Sequence, residues 1–285
     1  MFKGFILLAE PHGFLNKFEP FANGNAMNWK SFFDPVNLEE FKTGEWQHPS
    51  IGASIQTHAA DHFPNISRNQ LALIGITDHS NEKALKGIRH CFYELKQLRN
   101  FPQVLDLGNY HFNREADASI KGLAYVLSEL MDEGCLPLLF GGTQEVAYAQ
   151  YMAFCYLRRM TNLVSLDARI DFSSQQQAGL QPETYLQHLL THDPTYLFNL
   201  SILGYQSFLV DEDALAMMEK LYFDTFRLGK VRENMKNIEP VVRQANLMSI
   251  DMSSIRQADA PAATHPSPNG FYAEEACLLS RYAGL

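Results

Sequence analysis

From residue 71 to the end of the chain, apolar runs of strand length alternate with stretches of helical length. Apolar runs at residues 71–76, 104–108, 136–140, 163–166, 196–200 and 247–250 predict strands, and helices are predicted at residues 88–98, 119–133, 147–159 and 273–282. Alternation of this kind favours parallel strands with helices on both faces of the sheet. The sequence therefore predicts an α/β fold, a three-layer α-β-α sandwich around a mainly parallel, doubly wound sheet.

The first quarter of the chain has a different character. Residues 1–70 lack strong periodicity and are rich in Phe, Asn, Pro and His. Loop-rich aromatic segments of this kind either cover a pocket or form a surface extension packed by its own aromatic side chains. We predict an N-terminal loop-rich extension at residues 1–70, packed on a main domain of residues 71–285, in one structural domain overall. The hydrophobic fraction of 46% over 285 residues is ample for such a core.

Charge and cysteine usage exclude several classes of protein. The net charge is −9, from 32 acidic and 23 basic residues, and no cluster of lysine and arginine is present. This balance predicts no nucleic-acid partner and disfavours an anionic membrane. The apolar run at residues 4–9 is too short for a signal core or a membrane span. The four cysteines show no CxxC or zinc pattern. Reduced thiols in a cytoplasmic protein are therefore expected.

Three short segments follow predicted strands and carry the candidate chemistry. They read Gly-Gly-Thr-Gln-Glu at residues 141–145, Ser-Leu-Asp-Ala-Arg-Ile-Asp at residues 165–171, and Ser-Ile-Asp-Met-Ser-Ser-Ile-Arg at residues 249–256. Open α/β sheets bind their ligands in the loops at the carboxyl ends of parallel strands. The sequence therefore places a candidate functional site in these three loops.

The order and spacing of these segments resemble those of the arginase, agmatinase and formimidoylglutamase family, the ureohydrolases. In that family the segments read Gly-Gly-Asp-His, Asp-Ala-His-x-Asp and Ser-x-Asp-x-Asp, and they hold a pair of manganese ions. The resemblance extends from about residue 71 to the C-terminus, and residues 106–109 resemble the family's Asp-x-Gly segment at a strand end. It implies an arginase-like fold and self-association, since members of the family are commonly trimers or hexamers.

Carried over residue by residue, the resemblance keeps only part of the metal site. The retained ligand positions are Asp167, Asp171 and Asp251, and the substituted ligand positions are Gln144, Arg169 and Ser253. Manganese prefers carboxylate and imidazole donors, and a bridged pair of ions needs several anionic ligands. Three carboxylates hold at best one ion weakly. We expect no metal at full occupancy, and Mn²⁺ if any metal is bound.

Arg169 lies where the family has a metal ligand. A guanidinium group only donates hydrogen bonds and stays charged, so it cannot bind a metal. One hypothesis is that Arg169 replaces the cation by reaching across two of the aspartates, with Arg256 as a second countercharge. The alternative is that Arg169 points to solvent. No catalytic residue is assigned beyond Glu145, a candidate general base for water, and general bases alone supply only ~10²- to 10⁴-fold.

Three functional hypotheses follow from these residues. The first is a noncatalytic or weakly active binding protein for a guanidino- or formimino-type small molecule. The second is an active metal-dependent hydrolase of C–N bonds in linear amidines, and the third is metal-free chemistry in the same cleft. A ureohydrolase-like sheet would continue through another strand after the predicted helix at residues 273–282. Either the chain is a fragment or fewer strands finish the sheet.

Overall fold

The structure is a computed structural model that describes residues 28–37, 41, 50–78, 80–113, 117–173 and 179–284. The chain divides into two compact units. One is Leu15–Leu157, and the other joins Met1–Phe14 with Arg158–Leu285. Both units contain helices and mostly parallel strands, so the predicted α/β class is confirmed.

The sheet of the Leu15–Leu157 unit is built around β3 (Leu71–Thr77). This strand pairs in parallel with β4 (Val104–His111) on one side and with β5 (Leu136–Gly141) on the other. All seven residues of β3 are buried, as expected for a central strand in an α/β fold. The helices of this unit are α1 (Glu82–Glu94), α2 (Asp117–Asp132) and α3 (Glu145–Tyr156).

The described part of the predicted N-terminal extension adds strands to the same sheet. Strand β1 (Phe33–Asp34) pairs antiparallel with β4, and β2 (Gln56–Thr57) pairs with β4 in parallel. The rings of Trp29 and Phe63 pack edge to face at 5.8 Å. Sequence periodicity missed these strands because each is only two residues long. The domain boundary between residues 70 and 71 stays a prediction.

The Arg158–Leu285 segment carries a second sheet in which every pairing is parallel. Its strands are β6 (Thr161–Leu166), β7 (Leu197–Tyr205), β8 (Asp224–Arg227) and β9 (Leu247–Ile250), in the order β8-β7-β6-β9. The helices are α4 (Tyr185–Leu190), α5 (Glu212–Lys220), α6 (Leu228–Glu233), α7 (Met235–Arg243) and α8 (Ala273–Ala283). Val164 of β6, Val242 of α7 and Leu279 of α8 belong to one buried cluster, which joins the sheet to its helices.

Helix α1 differs most from the sequence prediction, because it begins six residues before the predicted start and ends at Glu94. Its buried positions are Leu85, Arg89 and Tyr93. They follow helical spacing, but one of the three is an arginine, and this charged residue interrupts the apolar pattern on which the prediction depended. Strand β8 was also missed, since Phe226 is its only large apolar residue.

Among the described residues, no helix is long and apolar enough to cross a membrane. Cys91 and Cys277 are exposed and Cys135 and Cys155 are buried, and the reduced state of the four thiols stays a prediction. The cytoplasmic location and the lack of a nucleic-acid partner stay predictions.

Candidate functional site

Two of the retained aspartates follow neighbouring strands. Strands β6 and β9 pair in parallel with Leu166 opposite Ile250, so both strands end at the same level. Asp167 and Asp251 are the next residues of their chains, and the N–H of Asp251 donates to the carbonyl oxygen of Leu166 at 2.9 Å. The second and third motifs therefore meet at the carboxyl edge of this sheet.

Asp171 completes the cluster from the loop that follows β6. Its side chain is hydrogen-bonded to the side chain of Asp167, and the two residues are 8% and 2% exposed. A carboxylate only accepts hydrogen bonds, so two carboxyl groups can bond to each other only when they share a proton. The structure thus joins the three retained positions in one acidic cluster, defined here as the buried Asp167 and Asp171 and the half-buried Asp251.

Burial and mutual repulsion set the protonation of this acidic cluster. Burial raises the pKa of Asp167 well above its ordinary value, and the charges of Asp171 and Asp251 raise it further. The pKa of Asp171 is raised to about 7, first by burial and then by the charge of Asp251. The same charges, added to complete burial, raise the pKa of the neighbouring Tyr185. The cluster therefore holds a proton near neutral pH.

Backbone groups of the two loops orient these carboxylates. The N–H of Arg169 donates to Asp167 Oδ1 at 2.8 Å, and the N–H of Ser253 donates to Asp251 Oδ1 at 2.6 Å. Both bonds link a side chain to the backbone two residues ahead, as short polar side chains commonly do in turns. One oxygen of each aspartate is thereby engaged within its own loop.

The effect of Arg169 on the pKa of Asp171 has the sign that the hypothesis of a replaced cation requires. The positive charge of Arg169 lowers the pKa of Asp171, but burial and the charge of Asp251 outweigh it and the pKa stays raised. Within the parts of the chain that the structure describes, its guanidinium forms no ion pair with a carboxylate, and the residue is partly exposed. The influence of Arg169 on Asp171 is therefore weaker than that of burial.

The second predicted countercharge, Arg256, serves a different carboxylate. Its guanidinium bonds both oxygens of Asp259, at 2.7 and 3.1 Å, and stacks on the ring of Tyr272 at 4.2 Å. The role of Arg256 as a second countercharge for the cluster stays a prediction, and an aspartate three residues further along the chain is the ion-pair partner of its guanidinium.

The substituted position Ser253 brings no negative charge. This residue is buried in the short helical turn Met252–Ser254, and its N–H donates to the side chain of Asp251, the N-cap. Sequence reasoning missed Glu183, an exposed residue whose charge raises the pKa of Asp171. Its signal was a Pro-Glu pair opening the turn Pro182–Thr184, a common start of a helical segment. Glu183 therefore adds to the negative charge that acts on Asp171.

The first motif belongs to the Leu15–Leu157 unit. Gly141 and Gly142 have φ values of 87° and 78°, which side chains other than glycine rarely adopt. A Cβ atom on Gly142 would lie 2.6 Å from Val146, so the tight turn from β5 into α3 requires glycine. Gln144 is buried before α3, and Glu145 is fully buried in its first turn. The role of Glu145 as a general base stays a prediction.

The resemblance suggested that the segment at residues 106–109 lies at a strand end, but the structure places it elsewhere. It lies inside β4, where Asp106 is fully buried. Arg89 donates to both oxygens of Asp106 at 2.8 and 3.2 Å, and the hydroxyl of Tyr93 donates at 2.7 Å. This second buried carboxylate thus has an arginine and a tyrosine as partners, and its arrangement indicates a structural role.

No group of three or more His, Cys, Asp or Glu within the described ranges is arranged to hold a metal ion. The same holds for the acidic cluster. Its carboxylates could each contribute an oxygen to a cation, but in the present arrangement two of them bond to each other.

Known proteins place this geometry in a family. The chain is 23% identical over 257 residues to a formimidoylglutamase of Staphylococcus aureus (strain bovine RF122 / ET3-1), covering 87% of this chain and 79% of the relative. The crystal structure of formimidoylglutamase from Bacillus subtilis subsp. subtilis str. 168 matches with a TM-score of 0.69 and 18% identity, over 85% of this chain and 84% of that one.

A Trypanosoma cruzi formiminoglutamase crystallised with Mn²⁺ matches with a TM-score of 0.64 and 13% identity, over 81% of this chain and 84% of that chain. The profile of the Arginase family matches residues 77–284, which is more than half of the chain. Both structures share the arginase fold. The chain therefore belongs to the arginase family, as a formimidoylglutamase-like ureohydrolase homologue.

Proposed function

We propose that this member of the arginase family is a noncatalytic or weakly active protein that binds a guanidino- or formimino-type small molecule. The observation that carries the proposal is the acidic cluster, in which three aspartates converge and raise the pKa of Asp167 and Asp171. A planar guanidinium or amidinium group presents parallel N–H donors and a positive charge, and it bonds carboxylates in a charge-assisted, often bidentate geometry. Such a ligand would bring a positive charge to these carboxylates.

The donors at the family's metal positions do not fit a pair of manganese ions. Arg169 cannot bind a metal, and Gln144 and Ser253 offer neutral oxygens where the family has anionic or imidazole donors. In the family a metal pair supplies hydroxide near neutral pH, because a bound metal lowers the pKa of water from about 15.7 toward 7. With three carboxylates as the only matching donors, we propose that this chain lacks that source of nucleophile.

The alternative is a metal-dependent hydrolase of C–N bonds in linear amidines. It is favoured by the relatives, since formimidoylglutamases match over most of this chain and one of them was crystallised with Mn²⁺. In this case one ion would bind Asp167, Asp171 and Asp251 and displace the proton that two of them share.

Manganese binding and turnover separate these two functions. The protein would be chelated exhaustively, and its thermal midpoint measured with and without excess Mn²⁺. An ion at a hundred times its dissociation constant adds ~2.7 kcal/mol to the folded state, a shift of several degrees. We expect no such shift, and no release of ammonia, formamide or urea from formimidoylglutamate, agmatine or arginine. A clear shift together with Mn²⁺-dependent release would select the hydrolase.

Ligand binding tests the proposed function directly. Calorimetric titration with the same three compounds should give saturable binding to at least one of them. Substituting Asp251→Asn should weaken this binding at least about tenfold, because it removes a charge-assisted hydrogen bond. The matched control is Asp213→Asn, at an exposed position of α5 in the same unit. Absence of both binding and turnover would contradict both functions.

A further inference from the structure

An apolar groove lies on the outer face of α1, remote in sequence from the acidic cluster. It encloses about 520 Å³ and is lined by Ala84, Gly87, Ile88, Cys91, Phe92 and Leu95 of α1 and its C-terminal cap, together with Phe140 of β5. All of these residues belong to the Leu15–Leu157 unit. The groove is therefore a feature of one unit.

Helix α1 has two apolar faces, although a helix covering a sheet needs only one. Leu85 and Tyr93 are buried on the inner face, whereas Ile88 is 38% and Leu95 is 48% exposed on the outer face. The outer positions 84, 88, 91 and 95 follow the spacing of four, three and four residues that lines one side of a helix. A continuous exposed apolar face of this kind marks an interaction surface.

Gly87 supports close approach of a second backbone. A Cβ atom at this position would meet no atom within 4 Å, so nothing inside the protein requires glycine there. Glycine inside an exposed helix is destabilising relative to alanine. Together with Ala84 it leaves a depression beside the ridge formed by Ile88 and Leu95. One helix face thus carries both a ridge and a groove, as packing of like helices requires.

The charges beside this face complement themselves under a two-fold rotation. Lys83 and Glu94 are both exposed, and they lie eleven residues apart, about three helical turns, on the same flank of the groove. Their midpoint falls between residues 88 and 89, within one residue of the midpoint of the stripe from Ala84 to Leu95. In an antiparallel pair, Lys83 of each copy would therefore face Glu94 of the other. Within its own chain, Glu94 lies 3.6 Å from His90.

We propose that the outer face of α1 packs antiparallel against the same face of a second copy of this chain. A self-complementary patch of this kind closes on itself and gives a two-fold dimer contact. Ile88 and Leu95 of one copy fill the depression beside Gly87 of the other, and two Lys83–Glu94 pairs flank the seam. The dyad brings the two Cys91 side chains, which are exposed, close to each other.

The size of the assembly tests this contact. Sedimentation of the full chain over micromolar concentrations should show an even-numbered assembly, and Ile88→Glu should halve its mass. The matched control is Leu221→Glu, a residue with 40% exposure on the other unit, which should leave the mass unchanged. A monomeric wild-type protein, or an assembly that Ile88→Glu does not alter, would overturn the proposal. Monomers that bind neutral lipid vesicles would instead assign this face to a membrane.

Charge reversal gives a second test that leaves the apolar face intact. Lys83→Glu alone should weaken the dimer several-fold, because like charges would then face each other across the seam. The double variant Lys83→Glu with Glu94→Lys should restore it. Failure of this rescue would contradict the antiparallel register, as would failure of a short bismaleimide to join two chains through Cys91. The exposed Cys277 is replaced by serine in that experiment, and Cys91→Ser is its control.

Discussion

Two carboxylate sites in this protein differ in their electrostatic surroundings. Asp106 in β4 is fully buried, and it accepts hydrogen bonds from the guanidinium of Arg89 and the hydroxyl of Tyr93, both on α1. In the acidic cluster at the ends of β6 and β9, Asp167 and Asp171 are also buried, but they bond to each other and their pKa values are raised. A buried charge is costly unless it is paired. An arginine therefore partners the carboxylate of the first site, whereas burial and neighbouring carboxylates favour the protonated form at the second.

The largest effect should follow from removing the arginine partner of Asp106. Arg89→Met should reduce the free energy of unfolding by about 3–5 kcal/mol, because it leaves Asp106 charged, buried and without its cation. Urea denaturation measures this change. Arg243→Met is the control, since that arginine also pairs with a carboxylate on a helix but is 50% exposed, and its loss should cost under about 1 kcal/mol. Equal losses in the two variants would contradict the comparison.

The stability of the metal-free protein should depend on pH through the raised pKa of Asp171 in the acidic cluster. The pKa of Asp171 is raised from 3.8 to about 7, so the folded chain binds more protons than the unfolded chain between these values. Its contribution to stability therefore falls as pH rises through this window, by up to about 4 kcal/mol. Urea denaturation at several pH values between about 4 and 8 checks the sign. A contribution that rises with pH would refute it.

Removing one carboxyl group from the acidic cluster should stabilise the protein without ligand. Asp171→Asn keeps a side chain of similar size but removes a charge that Asp167 and Asp251 repel. At about pH 8 we expect a gain of roughly 2 kcal/mol, less than the full pH effect because the shared proton is lost with it. The thermal midpoint measures the gain. Glu219→Gln, at an exposed position of the same unit, should change it little.

The smallest effect should come from removing one hydrogen-bond donor of Asp106. Tyr93→Phe removes one hydrogen bond to this carboxylate but leaves both bonds from Arg89. We expect a loss of about 1.5 kcal/mol, the lower end of the usual range for a hydrogen bond to a charged group, because Arg89 still bonds both oxygens. Tyr110→Phe is the control, since its hydroxyl donates to the neutral carbonyl oxygen of Ser119 at 2.8 Å. A larger loss at Tyr110 would show that charge is not the deciding factor.

Strands could be predicted from the sequence where one continuous apolar run spans most of the strand. The apolar run at residues 71–76 corresponds to β3, and the run at residues 247–250 coincides with β9. Prediction failed at α1, where Arg89 occupies a buried position that an apolar pattern cannot reveal. Its burial depends on Asp106, a residue that lies seventeen positions ahead and is brought near only by the packing of α1 on β4.

The family of this protein could be read from its strand-end motifs alone. The residue types at Gln144, Arg169 and Ser253 are likewise the basis of the proposal that metal donors are lost, because a side chain's ability to bind a metal depends on its own chemistry. Which charged side chains meet, in contrast, followed from the packing of the chain. It turned Arg256 toward Asp259, left Arg169 without an ion pair among the described residues, and buried Asp167 against Asp171. Electrostatic partners depend on distance and burial, which the order of residues along a chain does not contain.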